Sequence, residues 1–124
     1  MEINVSSEQG REPVTVFHID GRINLGNADQ LQAKAQEAYQ NGMRNLILDL
    51  SQVESITSVG LRAILAIHKM LNPIDPQSAD SRTGKSTHLK LLGPTPQVHK
   101  VLTTAGFTDF LEVYEDQQDA VASF

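Results

Sequence analysis

Apolar and polar residues along this chain follow two different periods. The segments INVSS (3–7) and PVTVFHID (13–20) have the composition of strands, and the second carries apolar residues on both faces. The polar turn EQGRE between them is short, which indicates an antiparallel hairpin. The run NLILDL (45–50) is compact and apolar between polar residues, as in a central parallel strand.

Helical patterns alternate with these strands. The first predicted helix begins at Asn27, which we expect to form a capping box with Gln30, and it ends at Gly42. The later elements, in order, are a helix opening near Ser58, a strand at 88–93, a helix capped by Thr95 and ended by Gly106, a strand at 110–115, and a closing helix capped by Asp116.

This order predicts an α/β fold. Strands that alternate with helices form a mostly parallel sheet with right-handed crossovers. We therefore expect one domain over residues 1–124, with a mixed, mostly parallel sheet of about five strands packed with about four helices. The segment 72–87 is rich in Pro, Ser, Asp and Gly and is predicted to be a flexible insertion loop; its alternative role is a partner-specific contact loop.

Composition excludes several classes of function. The chain has no cysteine, which removes disulfides, thiolate metal sites and cysteine nucleophiles. Its net charge is -5 and its ten basic residues are scattered, so nucleic-acid binding is not expected. The polar N-terminus and the lack of a long apolar run argue for a cytoplasmic protein without membrane insertion. The histidines lack metal-ligand spacing and no phosphate-binding loop is present, so we expect no metal and no cofactor.

The segment ESITSVGLRAIL (54–65) is the candidate site, because partner sites in such folds lie at the carboxyl ends of strands. Thr57 or Ser58 can cap the helix that follows. A hydrolase would use Ser58 as nucleophile, but position 56 is isoleucine and G-x-S-x-G is absent. A glycine inside a helix lowers its stability by about 1 kcal/mol relative to alanine. Gly60 is therefore expected where another backbone or a partner approaches the helix closely.

The segment LDLSQVESITSVGLRAIL (48–65) is similar to the signature of STAS domains, in particular of bacterial anti-sigma factor antagonists. IDGRIN (19–24) resembles the turn that follows the second strand in that family, and 89–124 resembles its C-terminal half. The resemblance covers nearly the whole chain. It implies a single STAS-like domain that acts by binding and is not an enzyme.

The resemblance also implies the site residues. Ser58 matches the serine that a cognate anti-sigma factor phosphorylates. The implied partner-binding residues are Gly21, Arg22, Asn24, Thr57, Ser58, Val59, Gly60, Leu61 and Arg62. The implied partners are an anti-sigma factor of the ATP-binding serine-kinase type and a serine phosphatase. Thr57 and Asn24 stand where many members carry aspartate, so this chain has less negative charge at the presumed site.

Two other functions remain open from the sequence. The chain could be a STAS-type interaction subunit of a transporter or signalling complex, not phosphorylated, with Ser58 acting only as a cap. It could also be a small serine hydrolase that uses Ser58.

Overall fold

The computed structural model describes residues 1–72 and 86–124. The strands and helices are β1 (Glu2–Gln9), β2 (Pro13–Ile23), α1 (Ala28–Gln40), β3 (Leu46–Ile56), α2 (Ser58–Leu71), β4 (Leu89–Leu92), α3 (Pro96–Thr104), a 3₁₀ turn (Phe107–Asp109), β5 (Val113–Tyr114) and α4 (Gln117–Ala122). Apart from positions 72, 86 and 87, the predicted flexible loop at 72–87 lies outside the described residues.

The strands form one sheet in the order β1-β2-β3-β4-β5. β1 and β2 pair antiparallel as a hairpin, and the three other pairs are parallel. The prediction of a mixed, mostly parallel five-stranded sheet with four helices is thus confirmed by the described part of the chain.

Apolar side chains cover both faces of the sheet. Phe17 and Ile19 point to the larger core, which also contains buried residues of α1, α2 and α3. Val14 and Val16 point to the smaller core, where Ala120 of α4 packs. The central strands are therefore buried on both sides, as the apolar composition of 13–20 and 45–50 predicted.

The strand bounds differ from the predicted ones, most of all in β3 and β5. β3 continues to Ile56, beyond the predicted end at position 50, because β2 also continues and pairs Ile23 with Ile56. β5 contains only Val113 and Tyr114, since a 3₁₀ turn occupies Phe107–Asp109 just before it. Pairing with a distant segment therefore sets the end of β3, whereas a local turn precedes the short β5.

Three of the predicted helix ends are confirmed. The Thr95 hydroxyl accepts a hydrogen bond from the Val98 amide, and the Asp116 carboxylate accepts two from the first turn of α4. Gly106 has φ +82°, the left-handed conformation expected after α3. The capping box at Asn27 is wrong, because the Asn27 side chain makes no capping hydrogen bond.

Candidate functional site

The candidate site is built where β2 and β3 end side by side. Ile23 pairs with Ile56, and the Thr57 amide donates a hydrogen bond to the Ile23 carbonyl at 3.0 Å. This contact joins the first turn of α2 to the segment that follows β2. The structure thus brings together the two segments, 21–24 and 57–62, that supply the predicted site residues.

Ser58 is the first residue of α2 and is exposed. The helix is capped by Thr57, whose Oγ1 accepts a hydrogen bond from the Gly60 amide at 3.4 Å. Within residues 1–72 and 86–124, the Ser58 hydroxyl makes no hydrogen bond. Of the two candidate caps, Thr57 is the one used, and this leaves the Ser58 hydroxyl available to solvent.

Gly60 is buried, and the rest of the chain explains why it is glycine. A Cβ atom at this position would lie 2.8 Å from side-chain carbons of both Ile23 and Ile56 and 3.0 Å from the Ile23 carbonyl oxygen. Real Cβ atoms do not approach other atoms so closely. Glycine therefore lets the first turn of α2 pack directly onto the ends of β2 and β3, and this fixes the position of Ser58.

The loop between β2 and α1 is held by its own asparagines. The Asn24 amide donates to Asn27 Oδ1, and the Gly26 amide donates to Asn24 Oδ1, each at 2.9 Å. Asn27 Nδ2 donates to the Arg22 carbonyl at 2.7 Å. These Asx-type hydrogen bonds replace the predicted capping box and give the loop a defined shape.

Leu25 projects from this loop and was missed by the sequence analysis. Two large apolar residues are exposed among those that the structure describes. Leu25 is the more exposed of the two, at 78 %. Single exposed apolar residues are common on protein surfaces, so the interest of Leu25 lies in its position beside the first turn of α2. An isolated leucine between two asparagines and a glycine was the available signal in the sequence.

The site surface is polar with mixed charge. Arg22 Nε donates to Glu54 Oε2 at 3.1 Å, and both side chains are largely exposed. Arg62 is also exposed, and the first turn of α2 contains no acidic residue. The other predicted residues divide by burial: Thr57 and Ser58 are exposed, Gly21, Asn24, Val59 and Leu61 are half-buried, and Gly60 is buried.

A serine hydrolase mechanism at Ser58 would need a base beside the hydroxyl, and the hydrogen bonds of the described histidines do not provide one. His18 is hydrogen-bonded to Ser6 and Asp49, and His88 is hydrogen-bonded to Asn45. None of the hydrogen bonds among described residues joins a histidine to Ser58.

In the described part of the chain there is also no group of three His, Asp or Glu residues placed to hold a metal ion. Among its helices, none has the length and apolar character needed to cross a membrane.

The sequence matches the STAS domain family over residues 7–120, and the chain belongs to that family. This confirms the family that the motifs in 19–24 and 48–65 indicated.

Three known proteins illustrate the relationship. A Bordetella bronchiseptica protein named as an anti-sigma factor antagonist, BtrV, is 29 % identical over 106 residues, covering 86 % of this chain and 82 % of its own. The crystal structure of an anti-sigma factor antagonist from Mycobacterium paratuberculosis superposes with a TM-score of 0.74 at 21 % identity, covering 98 % of this chain and 93 % of that one. The Bacillus protein SpoIIAA in its phosphorylated form superposes with a TM-score of 0.63 at 19 % identity, covering 95 % and 96 %. At these identities the two structures establish the fold alone.

Proposed function

We propose that this protein is an anti-sigma factor antagonist that binds an anti-sigma factor of the ATP-binding serine-kinase type. Binding would use the Ser58 surface, which we define as the exposed and half-buried residues Gly21, Arg22, Asn24, Leu25, Thr57, Ser58, Val59, Leu61 and Arg62. Phosphorylation of Ser58 by that partner would end the complex. The observation that carries the proposal is the exposed Ser58 hydroxyl, which the fold does not use because Thr57 caps the helix.

The neighbouring loop supports the binding role. Leu25 presents apolar area from a loop that Asn24 and Asn27 hold in place, so little conformational freedom would be lost on binding. Ser58 stands on the adjoining helix end. Gly60 contributes by positioning, since it is buried and contacts Ile23 of the same chain.

A phosphate at Ser58 would affect folding and binding differently. It adds about -1.5 to -2 charges. At a helix N-terminus an anion is stabilised by about 0.3–1 kcal/mol. Thr57 and Asn24 are uncharged, so neither places a second negative charge beside the phosphate. In an interface, an unpaired charge costs on the order of 2–5 kcal/mol, which lowers affinity by about tens- to thousands-fold. The modified protein would therefore keep its fold and release its partner, until a serine phosphatase removes the phosphate.

The test compares Ser58→Ala with Ser58→Asp in calorimetric titrations against the candidate anti-sigma factor. We expect the alanine variant to bind like the wild type and the aspartate variant to bind at least about tenfold more weakly. Ser7→Asp is the matched control, because Ser7 is also exposed but lies on β1. Equal affinities of the two Ser58 variants would contradict the switch.

Incubation with the kinase and ATP, followed by peptide mass mapping, tests the modification itself. The proposal expects phosphate on Ser58. A partner that binds the Ser58 surface but leaves Ser58 unmodified would instead support the alternative of a STAS-type interaction subunit of a transporter or signalling complex.

A further inference from the structure

Three polar side chains on neighbouring strands form a continuous chain of hydrogen bonds. Ser6 Oγ on β1 lies 3.0 Å from His18 Nε2 on β2, and His18 Nδ1 lies 2.8 Å from Asp49 Oδ2 on β3. His18 is directly opposite Asp49 in the β2–β3 register, and Ser6 is opposite Val16, two residues from His18. The three side chains therefore share one face of the sheet.

The charge state of Asp49 sets the direction of these hydrogen bonds. Burial raises the pKa of the Asp49 carboxyl, but hydrogen bonds from Ser51 and from His18 outweigh burial and lower that pKa below its ordinary value of 3.8. The other Asp49 oxygen accepts hydrogen bonds from the Ser51 amide and hydroxyl at 3.0 and 2.7 Å. An ionised carboxylate only accepts, so His18 Nδ1 donates to it. In the neutral form of the ring with the proton on Nδ1, Nε2 is the acceptor of a hydrogen bond from the Ser6 hydroxyl, and this is the form that a general base requires.

This order of groups is that of a serine nucleophile with its base and the carboxylate that orients the base. The Asp49 side chain is 16 % exposed and the His18 side chain 35 %. Ser6 is half-buried on the edge strand, where a small molecule can approach. The network lies on the α4 side of the sheet, with Val16, and α2 packs on the other side.

We propose that Ser6 is an activated nucleophile that accepts an acyl group from small activated esters. In this reaction a bond forms between Ser6 Oγ and the acyl carbon, and the bond from that carbon to the leaving oxygen breaks. The hydroxyl proton passes to His18 Nε2 and from there to the leaving oxygen or, where the leaving group is a stable anion such as nitrophenolate, to solvent. His18 is the catalytic base, and Asp49 is a positioning residue that acts through the imidazole. The product is an ester at Ser6.

The test uses 4-nitrophenyl acetate, with release of nitrophenolate followed by absorbance and the acetylated residue located by peptide mass mapping. To remove the exposed serine of α2, every variant is made in the Ser58→Ala background. We expect one acetyl group at Ser6, and its loss in Ser6→Ala. Ser7→Ala is the matched control, because the neighbouring Ser7 is exposed on the opposite face of the same strand, and it should react like the parent protein.

Two further variants test the roles of the other groups. His18→Ala should slow acetylation by about 100-fold, a typical contribution of general-base catalysis, and added imidazole should restore it. Asp49→Asn should also slow it, and the ¹⁵N shifts of the His18 ring should report movement of the proton from Nδ1 towards Nε2. Circular dichroism establishes that each variant is folded. The proposal is overturned if Ser6→Ala releases nitrophenolate at the parental rate, if acetyl groups spread equally over Ser6 and Ser7, or if folded His18→Ala reacts as the parent does.

Discussion

Replacing Gly60 with alanine tests whether close packing holds the first turn of α2 against the sheet. The added methyl group would lie 2.8 Å from Ile23 Cγ2, 2.8 Å from Ile56 Cγ1 and 3.0 Å from the Ile23 carbonyl oxygen. Neither carbon is the far end of a flexible side chain, and the oxygen belongs to the backbone. The contacts can be relieved only if the helix end moves away from β2 and β3.

The magnitude follows from two opposing effects. Overpacking a well-packed core costs about 1–3 kcal/mol. Alanine recovers about 0.5–1 kcal/mol of this, because it loses less backbone entropy than glycine on entering a helix. Because all three contacts are at 3.0 Å or less, we take the upper part of the overpacking range, about 2–3 kcal/mol, and expect Gly60→Ala to lower the free energy of unfolding by about 1–2.5 kcal/mol. For a chain of this size, that corresponds to a fall in Tm of roughly 5 °C.

Urea unfolding followed by circular dichroism measures this change, and the midpoint should fall at constant slope. Gly26→Ala is the matched control. A Cβ there would meet only Asn24 Oδ1 at 3.4 Å, so its stability should remain close to that of the wild type. If Gly60→Ala were as stable as the wild type or more stable, the packing argument for this glycine would be refuted.

Two further predictions concern the surface and the pH dependence. If the proposed complex forms through the Ser58 surface, Leu25→Ala should weaken binding of the anti-sigma factor by about tenfold at unchanged Tm. Val5→Ala, at the second exposed large apolar residue among those described, should not weaken it. Equal titration curves for the wild type and Leu25→Ala would contradict this prediction. Burial lowers the pKa of His68 from its ordinary value of 6.5. As the pH drops below about 6.5, His68 therefore takes up a proton more readily in the unfolded chain than in the folded one, and the free energy of unfolding falls. His68→Phe should flatten that part of the profile of stability against pH, as measured by urea unfolding. The control is His99→Gln, at an exposed histidine, which should leave the profile unchanged. A wild-type slope in His68→Phe would contradict the assignment to His68.

Local signals in the sequence predicted those parts of the fold that depend on local chemistry. Thr95 followed by proline, Asp116 and Gly106 each determine a helix end through atoms within a few residues, and all three behave as expected. Asn27 shows the limit of such signals. Its side chain can cap a helix or bind the preceding loop, and the path of that loop from β2 decides in favour of the loop.

Contacts between distant segments could not be read from local patterns. The polar residues of 51–56 gave no strand period, yet β3 continues through them because β2 lies alongside. The hydrogen bonds of His18 join residues 12 and 31 positions apart, so no local pattern connects Ser6, His18 and Asp49. For the site, the motif located Ser58, but only the structure assigned the capping role to Thr57 and the packing role to Gly60.

This division of roles bears on how a reversible switch can be built into a small domain. A residue that both stabilised the fold and contacted the partner would couple modification to unfolding. Here Thr57 caps α2, Gly60 allows the close packing and Asn24 orders the loop. Among the described residues, the contacts that hold this part of the fold therefore surround Ser58 without including its hydroxyl. In the complex proposed above, a charge added at Ser58 would therefore change the free energy of association much more than the free energy of unfolding. That separation is the physical requirement for a protein that must release its partner and later bind it again.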